Sequence, residues 1–172
     1  TITFWHSMGG VNGEAIDYLV QKFNEENGKG ITVESQYQGS YDDAINKLKS
    51  AQIGNMGADL VQIYDIGTRF MIDSGWVIPM QELIDADGWD VSQVEPNIAA
   101  YYTVDNKLYS MPFNSSTPLL YYNKDMFEKA GITEVPDSLP GIEAIADDLV
   151  TKGGAGEAIS LAIYGWFFEQ FT

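Results

Sequence analysis

In the opening TITFWHS, apolar side chains alternate with threonine, which predicts a strand. GGVNGE follows as a loop. Over EAIDYLVQKFNEEN the period lengthens, with Ile16, Leu19, Val20 and Phe23 on one helical face. Gly28 and Gly30 end that helix, and ITVESQYQ returns to a period of two through Ile31, Val33 and Ser35. These segments form a β-α-β unit. Ser40 then offers a hydroxyl ahead of the next helix, and Asp43 a carboxylate three residues on, a variant of the capping box. That helix runs through Ile45, Leu48 and Ala51 to Gly54 and Gly57. ADLVQIYD reads as a strand whose Leu60, Val61 and Ile63 are nearly continuous, as in a sheet covered on both faces.

Helical stretches follow in TRFMIDSG, MQELIDADGW and VSQVEPNIAAYYT, with WVIPM extended between the first two. DNK at 105–107 marks a hairpin turn between YYTV and LYSMP. STPLLYYN reads as a strand, NKDMFEKAG and GIEAIADDLVTKGG as helices, and ISLAIYG as a last strand. Alternation of this kind predicts the α/β class. There is no internal repeat or low-complexity tract, and GITEVPDSLPG is the one loop-rich stretch.

At 172 residues and 45% hydrophobic content, the chain is long enough for one domain, or for one lobe plus part of another. Its 25 acidic and 9 basic side chains give a formal charge of −16, a field that repels phosphate backbones and anionic lipids. Nucleic acid is therefore not an expected partner. The absence of cysteine excludes disulfides, thiolate catalysis and cysteine-ligated zinc. No stretch approaches the ~20 apolar residues that span a bilayer, and no basic-then-apolar leader precedes the first strand. A start at Thr1 rather than Met fits a processed or trimmed N-terminus.

In open α/β sheets, ligands bind beyond the carboxyl ends of the strands. That rule selects His6 with Ser7 and Met8, then Tyr41, then Tyr64 with Asp65, then the NSST stretch at 114–117. His6 is the only histidine, which excludes a multi-histidine metal site, and between Trp5 and Ser7 it reads as a structural hydrogen-bonded group. DADGWD at 85–90 lacks the bidentate Glu of a calcium loop, since Pro96 falls in that place, and reads as a solvated helix end. GGVNG lacks both the GxGxxG and the P-loop pattern. No catalytic residue, metal ligand or cofactor is expected. The ten tyrosines and four tryptophans exceed what a small core needs, and aromatic faces suit sugars and polyols. In MPFNSSTPLLYYNKDMF at 111–127, four small polar side chains sit between two prolines, either as a turn or as a ligand-facing bend.

FWHSM at 4–8, QIYDIGT at 62–68 and MPFNSSTPLLYYNKDMFEKAG at 111–131 resemble the extracellular solute-binding proteins of ABC importers, family 1. The likeness is greatest to the branch that takes glycerol-3-phosphate. It runs in order and spacing from about residue 2 to about residue 131. The resemblance implies a periplasmic-binding-protein-like lobe, with a mixed, mainly parallel sheet flanked by helices, plus the start of a second lobe. On that pattern residues 1–110 are the first lobe, 111–120 the crossing segment or hinge, and 121–172 an incomplete second lobe.

It also implies an extracytoplasmic place, in the periplasm or as a cell-surface lipoprotein after removal of a leader. The partners it implies are a small phosphate ester or sugar and the transmembrane permease subunits. Tyr41 and Ser116 match ligand-contacting positions, with Ser115 beside the latter and Trp5, Ser7 and Met8 edging the cleft. Asp65 stands where the glycerol-3-phosphate branch carries Glu, and Leu139 where it carries Trp, which leaves room for a larger head group such as glycerophosphocholine. The alternatives are an oligosaccharide or polyol ligand within the same family, or an acid/base hydrolase. The latter needs two carboxylates roughly 5–9 Å apart, and the sequence offers Asp65 no evident second.

The family draws an Arg and further contacts from a later part of its chain. The resemblance therefore implies weak or no binding by these 172 residues alone, which a micromolar affinity for glycerol-3-phosphate in calorimetry would contradict. The aromatic run GWFFEQFT, if uncovered, would favour association between molecules.

Overall fold

The computed structural model describes residues 1–54 and 56–171. The chain divides into two compact units, Thr1–Ser115 and Ser116–Thr172. The first unit is built around β1 (Ile2–His6), which is followed by α1 (Gly10–Glu26), β2 (Val33–Tyr37), α2 (Tyr41–Ile53) and β3 (Leu60–Val61). A 3-10 turn at Asp65–Gly67 leads into α3 (Thr68–Ser74) and α4 (Met80–Asp87). A second such turn at Val91–Gln93 precedes α5 (Pro96–Tyr101) and a hairpin of β4 (Thr103–Val104) and β5 (Lys107–Leu108).

β1 is the middle strand, in the order β2-β1-β3, and both pairings are parallel. Trp5 lies opposite Gln36 on one side and Val61 on the other. The ladder to β3 reaches beyond its two assigned residues, because Asp59 N–H donates to Thr3 O at 3.1 Å and Gln62 N–H to Trp5 O at 2.9 Å. On the outer edge of β2, the Asn24 side chain stands in for a strand: it donates to Val33 O at 2.9 Å and accepts from Val33 N–H at 2.7 Å. Asn27 fastens the same turn by accepting from the Lys29 and Ile31 amides. Phe4, Ile16, Ala44, Ile45, Leu48, Met71, Ile84 and Leu108 make the buried interior of this unit.

Several expectations are met here. Ser40 and Asp43 form a reciprocal capping box on α2, with Ser40 Oγ accepting from Asp43 N–H at 3.2 Å and Ser40 N–H donating to Asp43 Oδ2 at 3.0 Å. The Ser40 hydroxyl also donates to Asp43 Oδ2 at 2.7 Å, and that bond, with the one from Ser40 N–H, holds the Asp43 carboxyl below its ordinary value. The 105–107 hairpin forms with Asp105 and Asn106 at φ +49° and +61°, the two left-handed residues of a type I′ turn.

Others are corrected. GGVNGE is not a loop: α1 already begins at Gly10, a start unannounced because Gly9 supplies no side-chain cap. The helix expected over 91–103 is interrupted, since Pro96 forces Glu95 into an extended conformation and starts a new helix at its own position. The strand at 58–65 is not covered on both faces, for Leu60 is 50% exposed.

In the second unit, α6 (Lys124–Ala130) is capped by Asn123 and ended by Gly131 at φ +73°. Next comes α7 (Leu139–Thr151), capped by Ser138, and then α8 (Gly165–Gln170). Phe127, Ala130 and Leu149 form its core, with Ile132, Ile145 and Ala155 packed on them. STPLLYYN and ISLAIYG are not strands, and no strand occurs among the described residues of this unit. Their apolar and aromatic content suits strands, but a strand requires a neighbour for its N–H and C=O groups.

Removing the α2 cap by Ser40→Ala is expected to cost about 1 kcal/mol. It would appear as a lower urea midpoint at unchanged slope.

Candidate functional site

Because β1, β2 and β3 run parallel, their carboxyl ends open on one side of the sheet. Ser7 and Met8 follow β1, Gln38 to Tyr41 follow β2, and Gln62 to Asp65 follow β3. Asn114, near the end of the first unit, meets them there through its side chain.

A set of hydrogen bonds ties these ends together. Gln62 is only 7% exposed, and a buried amide has to be partnered. Its Oε1 accepts from Ser7 N–H at 2.9 Å and its Nε2 donates to Asn114 Oδ1 at 2.8 Å. Asn114 Nδ2 lies 3.5 Å from Tyr41 Oη. Ser7 Oγ donates to Ser40 O at 3.3 Å, joining the β1 and β2 exits. The rings of Tyr41 and Tyr64 stack at 5.4 Å with 25° between planes, and Tyr64 Oη donates to Asp42 Oδ1 at 2.9 Å. Asp65 Oδ1 accepts from Ile66 N–H at 2.9 Å. Burial, with the Asp65 charge adding to it, holds the Tyr102 phenol above its ordinary value of 10.0.

The two helices that start at this end differ electrostatically. α2 begins with Asp42 and Asp43, which oppose an approaching anion, whereas the first turn of α1 carries no acid and its N-cap is Gly9. The α1 start is thus the better place for negative charge. The chain approaches itself closely there, since a Cβ on Gly13 would stand 2.9 Å from Met8 O. Beneath Met8, the buried His6 ring accepts the Met8 amide on Nδ1 at 3.3 Å, and burial pushes the imidazole below its ordinary value of 6.5.

A cavity of about 540 Å³ lies beside β3, walled by Phe4, Leu60, Ile63, Met71, Trp76 and Phe113 among others. Gln62 and Asn114 are where the polar cluster meets it.

The structure brings Ser7, Met8, Tyr41 and Asp65 to the strand exits. Trp5 is placed within β1, where its indole N–H donates to Gln36 Oε1 at 3.1 Å. Ser115 ends the first unit, while Ser116 and Leu139 belong to the second, Leu139 exposed at the first turn of α7. Sequence reasoning does not single out Gln62, although a signal is present: it is the one amide in the apolar run LVQIYD. Among the described residues no group of acids and histidine could hold a metal ion, and no helix is long and apolar enough to cross a membrane.

Comparison with known proteins bears on this arrangement. The model of the family described as bacterial extracellular solute-binding protein matches residues 18–172. The chain is 42% identical to the sn-glycerol-3-phosphate-binding periplasmic protein UgpB of Salmonella paratyphi A, over all of this chain and 40% of that protein. It thus spans two fifths of the length of this curated relative. A crystal structure of UgpB from Mycobacterium tuberculosis in complex with glycerophosphocholine superposes with a TM-score of 0.76 at 27% identity, covering 86% of this chain and 38% of that one. A periplasmic solute-binding protein from Pectobacterium atrosepticum shares the fold, with a TM-score of 0.72 at 22% identity over 88% of this chain and 36% of its own.

Two outcomes follow from the geometry at the β1 exit. His6 is held neutral by burial, so the unfolded chain takes up a proton first as pH falls. The stability this group contributes is complete above about pH 6.5 and is lost as pH drops through its lower folded-state value. Thermal midpoints measured against pH should show that loss in the native protein, and His6→Gln should lack it. Gly13→Ala should lower the midpoint at every pH, because the clash with Met8 O outweighs the gain in helix propensity.

Proposed function

The chain belongs to the bacterial extracellular solute-binding protein family, and on that footing we propose that it serves non-catalytic capture of glycerol-3-phosphate or a glycerophosphodiester for an ABC importer. Its place of work is outside the cytoplasm, in the periplasm or at the cell surface as a lipoprotein. The captured solute passes to the transmembrane permease subunits. The observation that carries this reading is the convergence of Ser7, Tyr41 and Asp65 at three parallel strand exits, beside a helix start free of acids.

The roles follow from the chemistry of each group. Tyr41, through its hydroxyl proton, addresses the phosphate or its bridging oxygen. Asp65 accepts from glycerol hydroxyls, with a reach one methylene shorter than Glu would have. Trp5, Ser7 and Met8, with Ser115, border the ligand. Capture of this kind asks for no nucleophile and no proton relay.

A second reading, an oligosaccharide or polyol as ligand, is favoured by the stacked pair of Tyr41 and Tyr64, since such rings suit the C–H faces of sugars. The two separate in a thermal-shift panel on the full-length protein that contains these residues. Glycerol-3-phosphate and glycerophosphocholine should raise the midpoint, and glycerol and maltotriose should not. A rise with maltotriose alone would overturn the proposal. Calorimetry should show Tyr41→Phe weakening glycerol-3-phosphate by about ten-fold or more, the loss of one hydrogen bond to a charged group.

A further inference from the structure

Resting on the reading of Tyr41 as a ligand contact, we propose that Gln62 and Asn114 are positioning residues that turn the Tyr41 hydroxyl proton outward. The ligand group seated on it is therefore a hydrogen-bond acceptor, such as a phosphate oxygen.

The orientation of a side-chain amide is set by its partners. Here one partner has no choice, because the Ser7 backbone N–H can only donate. Gln62 must turn Oε1 toward it, at 2.9 Å, since the opposite orientation would set NH2 against N–H. Gln62 is buried, so water does not readily replace this bond. With Oε1 committed, Nε2 faces Asn114, which meets it through Oδ1 at 2.8 Å. Asn114 is thereby left with Nδ2 toward Tyr41 Oη, at 3.5 Å.

A phenol carries one proton. On its Asn114 side Tyr41 meets a group that holds only protons, so its own proton points elsewhere. Tyr64 offers Tyr41 the face of its ring and spends its hydroxyl proton on Asp42 Oδ1 at 2.9 Å. The polarity of one strand-end amide is in this way carried through two side-chain amides to the ligand-facing hydroxyl.

The chain of bonds can be reversed with little change of shape. In Gln62→Glu, a carboxylate accepts from Ser7 N–H and from a flipped Asn114, whose Oδ1 then draws the Tyr41 proton inward. Asn114→Asp does the same one step closer. In the full-length protein each variant should weaken glycerol-3-phosphate by about the same ten-fold or more as Tyr41→Phe. Adding Tyr41→Phe to either should cost nothing further, and Asn114→Asp, at an exposed position, should keep a thermal midpoint near that of the native protein. A new charge that merely repels the ligand, or a merely structural role, would make the losses additive and would overturn the proposal, as would unchanged affinity in both variants.

Neutron diffraction from deuterated crystals reads the same point without ligand. The deuteron on Tyr41 Oη should point away from Asn114, and one lying between Tyr41 and Asn114 would overturn the assignment. Should the native protein take up neither glycerol-3-phosphate nor glycerophosphocholine, the functional reading fails, and the neutron map alone decides the direction of the hydroxyl.

Discussion

The first unit depends on the pairing of β1 with a parallel neighbour on each side. Parallel strands cannot be joined by a tight turn, so α1 and α2 are the crossovers that return the chain to the start of the next strand. All three strands then finish at the same end, and Ser7, Tyr41 and Asp65, far apart in sequence, become neighbours in the exit region. An antiparallel β2 would have placed Tyr41 at the opposite end. The turn into β2 is short and polar: Asn27 fastens it through the Lys29 and Ile31 amides, and Asn24 supplies at Val33 the bonds that a further strand would otherwise make at the edge of β2.

The proposed ligand is an anion, and the chain proposed to take it has a formal charge of −16. Distant carboxylates are screened over about 8–10 Å at ordinary ionic strength, whereas a hydroxyl or amide in contact is not. Local arrangement therefore outweighs total charge. The same helix-start geometry gives opposite results at two places: Asp42 and Asp43 occupy the start of α2, and the start of α1 is left bare. The glycines of GGVNG, which match no nucleotide-binding pattern, have a conformational role there: Gly10 takes φ +56° and Gly13 lets the helix approach Met8 O.

The features legible in the sequence were those governed by neighbours along the chain. The capping box at Ser40 and Asp43, the apolar face of α2 and the Asp105-Asn106 turn all involve residues within a few positions of each other, whereas the face expected on α1 buries Ile16 and leaves Leu19 and Phe23 exposed. The start of α1 was hidden because its cap is a glycine with nothing to offer. The second unit shows the other kind of failure. STPLLYYN and ISLAIYG have the apolar and aromatic content of strands, yet Tyr121 is 89% exposed and Leu119 72%, for strand-forming composition does not supply a pairing partner. The site divides in the same way. The exit rule pointed to Ser7, Tyr41 and Asp65 from strand positions alone, while Gln62 was passed over inside an apolar run.

What the sequence determined by itself was the succession of elements, the α/β class and the hydroxyl and carboxylate groups at the strand exits, because periodicity and capping are local. Only the tertiary structure decided which groups answer one another: that Gln62, buried behind the exits, joins Ser7 to Asn114, and that Asn114 reaches Tyr41 across 73 positions of chain. Such pairings depend on strand order and register, and the partners of a buried amide are chosen by whatever the fold packs against it.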